Sequence, residues 1–208
     1  MPTNYVVAAD VVDIRADVPQ PTDVFVVDAN VWFWMTYTRA SMSQRGPRPY
    51  QLAAYPQFVQ AALTAQATIH RCELTVAELA GLIEKTEFEI FTRSSGLQLK
   101  PKEYRHTVPG ERQRVVGEIA AAWGSVVSMA WPLPVTVDEA AGNAILRRCC
   151  GQPVDGYDAV LLETAQQNSV TQVITDDGDF CTVPGITVFT ANASVLSAAR
   201  ASGHLVTR

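Results

Sequence analysis

The sequence predicts an α/β fold of three layers, in which a mainly parallel central sheet is flanked by helices. Segments with strand character alternate with segments of helical periodicity, and the connections become short toward the C-terminal end. The first strand-like run, "VFVV", is continuously apolar, which is typical of a parallel strand buried on both faces.

Composition and length indicate one compact domain. The chain has 208 residues, of which 48% are hydrophobic and 18% are charged, as in globular proteins. We expect residues 1–22 to form an N-terminal extension, whose "YVVAADVVDIR" fits either an edge strand or a partner-binding arm. Residues 23–208 are expected to form a single domain with a longer basic helical and loop segment around 85–135.

The terminus and the cysteines bear on location. The first residues lack a basic stretch followed by a long apolar core, so we expect no signal peptide. No apolar run approaches the roughly 20 residues of a membrane span, which predicts no membrane partner. The four cysteines match no zinc-binding spacing, and we expect them to be reduced thiols in a cytoplasmic protein.

The first half of the chain predicts a strand, a helix, a strand and a helix. Residues 23–34 begin with a strand that ends at Asp28. Helical periodicity covers 55–67, and a short strand at 68 precedes a helix at 74–85. Residues 92–112 are expected to be a loop, because glycines and prolines interrupt them. These breakers are Gly96, Pro101, Pro109 and Gly110.

The second half alternates in the same way. A helix is predicted over 112–130, and 133–149 pass from an extended piece to a helix. Thr136 is the expected N-cap of that helix, because Glu139 follows at the spacing of a capping box. The remaining elements are a helix at 156–170, strands at 171–175 and 186–190, and a helix at 193–202.

Acidic residues lie at the boundaries of these elements. Asp28 ends the first strand, and Asp177 and Asp179 follow the strand "TQVIT". Ligands of an open parallel sheet bind beyond the carboxyl ends of its strands. Glu78, within a helix, and Asp158, near a helix start, are expected to face the same cleft.

Several carboxylates in one cleft repel each other unless they are protonated or neutralised by cations. Mg²⁺ and Mn²⁺ prefer such oxygen ligands and can promote an in-line displacement at phosphorus. None of the three histidines belongs to the set, so metal-bound water is the expected nucleophile. The alternative is that each acid is an ordinary cap, turn or solvated helix residue, and only their combination indicates a site.

Four segments together resemble the acidic motifs of the PIN-domain nucleases, which include the toxins of VapBC toxin–antitoxin pairs. They are "VFVVDANVWFW", "TVAELAGLIE", "DGYDAVLLETAQQ" and "VITDDGDF", and they span about residues 23–190. The resemblance implies a PIN-like fold and a divalent-metal-dependent endoribonuclease that uses Mg²⁺ or Mn²⁺ on RNA. It leaves open a small antitoxin protein and a homodimer as partners.

The resemblance also assigns roles to particular residues. Catalytic and metal-binding roles fall on Asp28, Glu78, Asp158 and Asp177, with Asp179 as a further metal ligand. Supporting roles fall on Asn30 and Thr175. Asp155 is a weaker candidate, and Asp176 is expected to face solvent. Many toxin members are shorter than this chain, so the resemblance favours a nuclease more than it favours a toxin.

Basic and aromatic residues suggest how RNA would be held. Residues 85–114 carry seven Lys or Arg and four Glu, whereas residues 155–180 carry six acids and no Lys or Arg. The substrate-binding candidates are Arg39, Arg93, Lys100, Lys102 and Arg105, with Arg45 and Arg48 in a patch with Arg39. The alternative for all of them is a solvated surface. The aromatic cluster at 32–35 is expected to pack in the core, with base stacking as the alternative.

Other function classes fit less well. A haloacid dehalogenase-type hydrolase needs a second Asp two residues after Asp28, where this chain has Asn30. A topoisomerase–primase fold would have a glutamate on the first strand, at the position of Asp28. The remaining alternative is a non-catalytic PIN-like module that binds RNA or protein.

Overall fold

The computed structural model describes residues 5–44 and 46–208 of the chain. Its strands are β1 (Asp10–Asp13), β2 (Val24–Val27), β3 (Thr68–Cys72), β4 (Trp131–Leu133), β5 (Gln172–Ile174), β6 (Thr187–Thr190) and β7 (Leu205–Val206). Its α-helices are α1 (Ala29–Thr36), α2 (Pro49–Thr64), α3 (Thr75–Ser95), α4 (Pro101–Thr107), α5 (Pro109–Met129), α6 (Glu139–Gly151), α7 (Gly156–Gln167) and α8 (Ala193–Ser202). Two short 3-10 turns cover Ala40–Met42 and Asp179–Thr182.

One sheet of seven strands runs through these residues in the order β4-β3-β2-β5-β6-β1-β7. Every neighbouring pair of strands is parallel. The predicted α/β class with a mainly parallel sheet is therefore confirmed. The carboxyl ends of the central strands β2 and β5 are neighbours, which places the residues after them side by side.

Successive side chains of β2 point to opposite faces and separate two cores. Phe25 and Val27 pack into a core with α1, α2, α3 and α5. Val26 instead packs into a core that contains the apolar faces of α7 and α8. Phe25 also makes edge-on contact with Phe58 and Phe189, at centroid distances of 5.8 and 4.9 Å. The sheet is thus the middle of three layers.

The described part of the N-terminal extension belongs to the sheet. β1 pairs with β6 on one side and with β7 on the other. It therefore lies one position in from the edge, because the two-residue strand β7 covers its outer side. Residues 1–4 of the expected extension lie outside the described residues.

Prolines begin three of the helices whose starts were predicted wrongly. The predicted loop at 92–112 is wrong, because Pro101 and Pro109 are first residues of α4 and α5. A proline is favourable there, since its missing N–H would have no helical partner. α3 continues ten residues beyond its predicted end, to Ser95, and stops at Gly96 with φ of 69°. α2 begins at Pro49 and contains Pro56, whereas the prediction started the helix at 55.

The predicted N-cap Thr136 is also wrong. The carboxylate of Asp138 caps α6 by accepting a 2.8 Å hydrogen bond from the backbone N–H of Ala141. The later predictions agree better, since α7, β5, β6 and α8 each differ by no more than three residues at either end. No helix of the described residues combines the length and the apolar character needed to cross a bilayer.

Candidate acidic site at the carboxyl edge of the sheet

Asp28 directly follows β2 and is almost fully buried, with 2% of its surface exposed. Its backbone N–H donates to the carbonyl of Ile174 on β5, at 3.1 Å, and so extends the pairing of the two strands. Thr175 donates a hydrogen bond of 2.9 Å to its Oδ2, and the side chain of Asn30 is a further partner. Asp28 precedes α1, yet its carboxylate does not cap that helix.

The acidic loop after β5 is organised by the Thr175 hydroxyl. That hydroxyl accepts a 2.9 Å hydrogen bond from the backbone N–H of Asp177. The Asp177 carboxylate in turn accepts a 2.9 Å bond from the backbone N–H of Asp179. Asp177 and Asp179 are both half-buried. The structure thus joins the end of β2 and the loop after β5 through one threonine.

The other two predicted acids come from helix N-termini. Glu78 lies in the first turn of α3 and Asp158 in the first turn of α7. Both line a narrow crevice together with Thr75 and Tyr157. Asp158 is 8% exposed, and Glu78 is half-buried.

The carboxylates influence each other's ionisation. Burial raises the pKa of Asp28 to about 6, and the nearby charge of Asp177 adds to the effect. Burial, followed by the charge of Asp28, raises the pKa of Glu78 to about 7 and that of Asp158 to about 8. Burial and the charge of Asp177 also raise the pKa of Asp179. The predicted acids therefore form one electrostatically coupled cluster.

Asp155 and Asp176 have structural partners. Asp155 caps α7 by accepting bonds from the backbone N–H groups of Tyr157, at 2.8 Å, and Asp158, at 3.0 Å. Asp176 was expected to face solvent, and that expectation is wrong. Its carboxylate is half-buried and accepts hydrogen bonds from α2. The donors are the hydroxyls of Tyr50 and Tyr55 and the side-chain amide of Gln51.

The donor chemistry of the cluster suits a hard divalent cation, since every candidate ligand atom is a carboxylate oxygen. Over 5–44 and 46–208, however, no three His, Cys, Asp or Glu side chains are arranged to hold an ion by themselves. Mg²⁺ usually binds through one or two carboxylates, with waters and substrate phosphates completing its shell. The cluster therefore fits such an ion in donor type without forming a closed protein cage.

An open cleft of about 320 Å³ lies beside the cluster. Its lining consists of Tyr5, Asn30, Trp34, Gln51, Asp176, Asp177, Gly178 and Asn192. A second cleft, of about 210 Å³, shares Asn30, Trp34 and Gln51 with the first and reaches Lys85. The two clefts therefore adjoin at these three residues.

The basic candidates lie largely outside these two clefts. Arg39 pairs with the fully buried carboxylate of Glu87 at 2.8 Å, and Arg105 pairs with Glu84 at 2.6 Å. Arg93 donates to the backbone carbonyl of Met42. Lys100 and Lys102 are exposed at the start of α4, and Arg48 is exposed at the N-cap of α2. Arg45 lies outside the described residues.

Sequence reasoning missed the buried ion pairs and hydrogen bond of Glu87. Tyr37 donates a 2.6 Å hydrogen bond to this carboxylate, and Arg39 and Arg114 both form ion pairs with it. The four residues lie on or directly beside α1, α3 and α5 and connect these elements. No sequence signal identified this pairing, because the partners are 27 to 50 residues apart.

Comparisons with known proteins identify no family. No family model matches the sequence, and no curated protein is significantly similar to it. Among solved structures, the crystal structure of FitAcB from Neisseria gonorrhoeae has 18% sequence identity and a TM-score of 0.37. The match covers 80% of this chain and 97% of that chain. A TM-score this low does not establish a shared fold, so the α/β assignment depends on the sheet described above.

Proposed function

We propose that the protein is a divalent-metal-dependent endoribonuclease of the PIN-like type, which hydrolyses RNA phosphodiester bonds. One observation carries the proposal. The buried carboxylate of Asp28 is electrostatically coupled to Glu78, Asp158 and Asp177 at the carboxyl edge of a parallel sheet. A purely structural role does not account for the accumulation of buried, mutually repelling acids at one edge.

The proposed cofactor is Mg²⁺ or Mn²⁺. Asp28 and Asp177 would hold it together with Glu78 and Asp158, and Asp179 would be a further ligand. Such an ion, when bound, lowers the pKa of water and neutralises charge on a reacting phosphate. The same positive charge would offset the mutual repulsion of the carboxylates.

The protein's own residues contribute orientation and proton handling. The hydroxyl of Thr175 and the amide of Asn30 orient the carboxylate of Asp28. With pKa values of about 7 and 8, Glu78 and Asp158 can exchange protons near neutral pH before a cation binds.

Unpaired RNA is the proposed substrate. The cleft at Asp177 adjoins a second cleft lined by Lys85, whose ammonium group would be available to a phosphate of the same strand. The toxin role, a small antitoxin protein as partner, a homodimer and a cytoplasmic location belong to the same proposal. The first three depend on the resemblance of the acidic segments to PIN-domain motifs, and the location depends on the cysteines and the N-terminal sequence.

A non-catalytic RNA- or protein-binding module is the second candidate. It is favoured by the lack, over the described residues, of an arrangement of three ligands ready to hold an ion. The pairing of Arg39 and Arg105 with glutamates also reduces the basic surface available to a substrate. This module would bind RNA but leave it intact at every metal concentration.

Incubation of the protein with a mixture of single-stranded and structured RNAs tests the proposal. Wild-type protein should cleave within the chains when Mg²⁺ or Mn²⁺ is present. Asp28→Asn and Asp177→Asn should be inactive while keeping the wild-type circular dichroism spectrum. Intact RNA after incubation with folded wild-type protein and either metal would favour the binding module instead.

A further inference from the structure

We propose that Tyr5 and Trp34 form a stacking subsite for an unpaired base of RNA, next to the phosphate that is cleaved. The inference deepens the proposed function and depends on it for the identity of the ligand. Both aromatic side chains line the cleft that contains Asp177. Tyr5 precedes β1 and Trp34 belongs to α1, so the two rings reach the cleft from different parts of the chain.

The segment that carries Tyr5 is fastened to the acidic loop. Just after it, the backbone N–H groups of Ala8 and Ala9 both donate to the carbonyl of Cys181, at 2.9 and 3.0 Å. Cys181 belongs to the 3-10 turn that begins at Asp179. The chain then enters β1, which is paired on both sides. These contacts bring the segment that follows Tyr5 against the loop that carries Asp177 and Asp179.

The Tyr5 ring lies directly against the backbone of Gly178, between the two acids of the loop. A Cβ atom at Gly178 would overlap the phenol ring. The φ of Gly178 is −73°, which any residue adopts. The close approach of Tyr5, and not the backbone conformation, therefore accounts for glycine at this position.

Trp34 supplies the second aromatic surface. It lies on α1, six residues after Asp28, and is half-buried, whereas Trp32 is completely buried in the core. Its ring packs against Tyr55 with a centroid distance of 5.4 Å, which limits its rotation. Trp34 also lines the second cleft, so it borders both clefts.

The lining favours a base over a phosphate. The cleft contains the carboxylates of Asp176 and Asp177, and its described lining residues include no Lys or Arg. The amides of Gln51 and Asn192 already donate hydrogen bonds to Asp176. Apart from the proposed cation at Asp177, stacking on aromatic rings is therefore the main attraction left for a nucleotide. Such stacking tolerates any base sequence.

Fluorescence anisotropy with labelled oligouridine and oligoadenosine tests the subsite. Every protein carries Asp28→Asn and is measured with Mg²⁺, and gels verify that the RNA stays intact. Tyr5→Ala should weaken binding of both oligomers by about tenfold, and Tyr5→Phe should stay within about threefold of the parent because it keeps the ring. Val6→Ala is the matched control, since Val6 is 80% exposed on the same segment.

Two further measurements separate stacking from loss of fold. Gly178→Ala should displace the Tyr5 ring and weaken binding as Tyr5→Ala does, and the double variant should lose no more than either single one. An oligomer with abasic sites keeps its phosphates but has no rings to stack. Its affinity should therefore be the same for the parent and for Tyr5→Ala.

Four results would overturn the inference: no RNA binding by the parent, equal affinities of Tyr5→Ala and Val6→Ala, full additivity in the double variant, or a Tyr5 effect that persists on abasic RNA. Metal-dependent cleavage together with Tyr5-independent binding would remove the subsite and leave the proposed function intact. Tyr5-dependent binding without any cleavage by wild-type protein would support the subsite and contradict the nuclease.

Discussion

The hydroxyl of Thr175 donates a 2.9 Å hydrogen bond to Oδ2 of Asp28, across the ends of two neighbouring strands. Thr175 is fully buried and Asp28 is 2% exposed, so water cannot substitute for this bond. The same hydroxyl accepts the backbone N–H of Asp177. One side chain thus sets the positions of two carboxylates relative to each other.

Removal of that hydroxyl should therefore cost both stability and activity. Thr175→Val keeps the shape of the side chain but removes the acceptor for the Asp177 N–H and one of the side-chain donors to the Asp28 carboxylate. We expect a loss of about 1–3 kcal/mol in the free energy of unfolding, measured by urea denaturation, and a lower cleavage rate. Thr175→Ser keeps the hydroxyl and should retain most of both. Equal stability of the Val variant and the wild type would refute the idea that the Thr175 hydroxyl holds Asp28 and Asp177 in position.

The raised pKa values predict how stability depends on pH. In the folded state Asp28, Glu78 and Asp158 have pKa values of about 6, 7 and 8, above their ordinary values of 3.8, 4.5 and 3.8. Between about pH 4 and 8 these three acids bind more protons in the folded protein than in the unfolded chain. In EDTA, the contribution of these acids to stability should therefore fall as pH rises through this window.

Asp158→Asn isolates the effect from that of other titrating groups. The variant should be more stable than the wild type by about 1–3 kcal/mol at pH 8, and the two should be similar at pH 4. Urea denaturation at a series of pH values measures the difference. A difference that does not change with pH would show that burial and neighbouring charge do not raise the pKa of Asp158.

Asp155 should behave as a helix cap and not as a metal ligand. Asp155→Ala removes the acceptor of two backbone N–H groups and should lower stability by about 1 kcal/mol. Cleavage should continue, because Asp28, Glu78, Asp158 and Asp177 remain. Asp155→Ser restores a capping side chain and should recover the stability. Abolished cleavage in both variants would instead give Asp155 a direct role.

Arg39 should affect the stability of the fold, whereas Lys100 and Lys102 should affect RNA binding. Arg39→Met leaves the buried Glu87 with fewer partners and should cost about 2–4 kcal/mol of stability. Lys100→Gln and Lys102→Gln should change stability by less than about 0.5 kcal/mol. If these lysines contact phosphates, their removal weakens RNA binding and reduces its dependence on salt.

Thermal unfolding and RNA binding at two salt concentrations, measured on the same preparations, distinguish the two groups. Unchanged stability of Arg39→Met would contradict its structural role. Unchanged affinity and salt dependence of the double lysine variant would remove α4 from the RNA-binding surface.

The local parts of this structure were predictable from the sequence. Asp28 and Asp177 come after short runs rich in β-branched residues, and such runs between turn residues indicate strands. Pro101 and Pro109 were ambiguous, because proline both ends one helix and begins another. Thr136 and Asp138 are both good caps two residues apart, and only the course of the backbone selects between them.

Long-range contacts were not predictable. Asp176 is held by Tyr50, whose sequence separation is 126 residues, and Arg39 pairs with Glu87 at a separation of 48. Neither pairing leaves a periodic trace in a single sequence. The position of Tyr5 against Gly178 likewise depends on β1 entering the sheet beside β6.

The most direct test of the acidic site is the return of cleavage when Mn²⁺ is titrated into EDTA-treated protein with a single-stranded RNA substrate. Wild-type protein should be inactive in EDTA, and its cleavage rate should rise with Mn²⁺ to a plateau. Asp28→Asn, folded by circular dichroism, should remain inactive throughout the titration. Cleavage that persists in EDTA, or that Asp28→Asn retains at the wild-type rate, would contradict a metal-dependent site at these carboxylates.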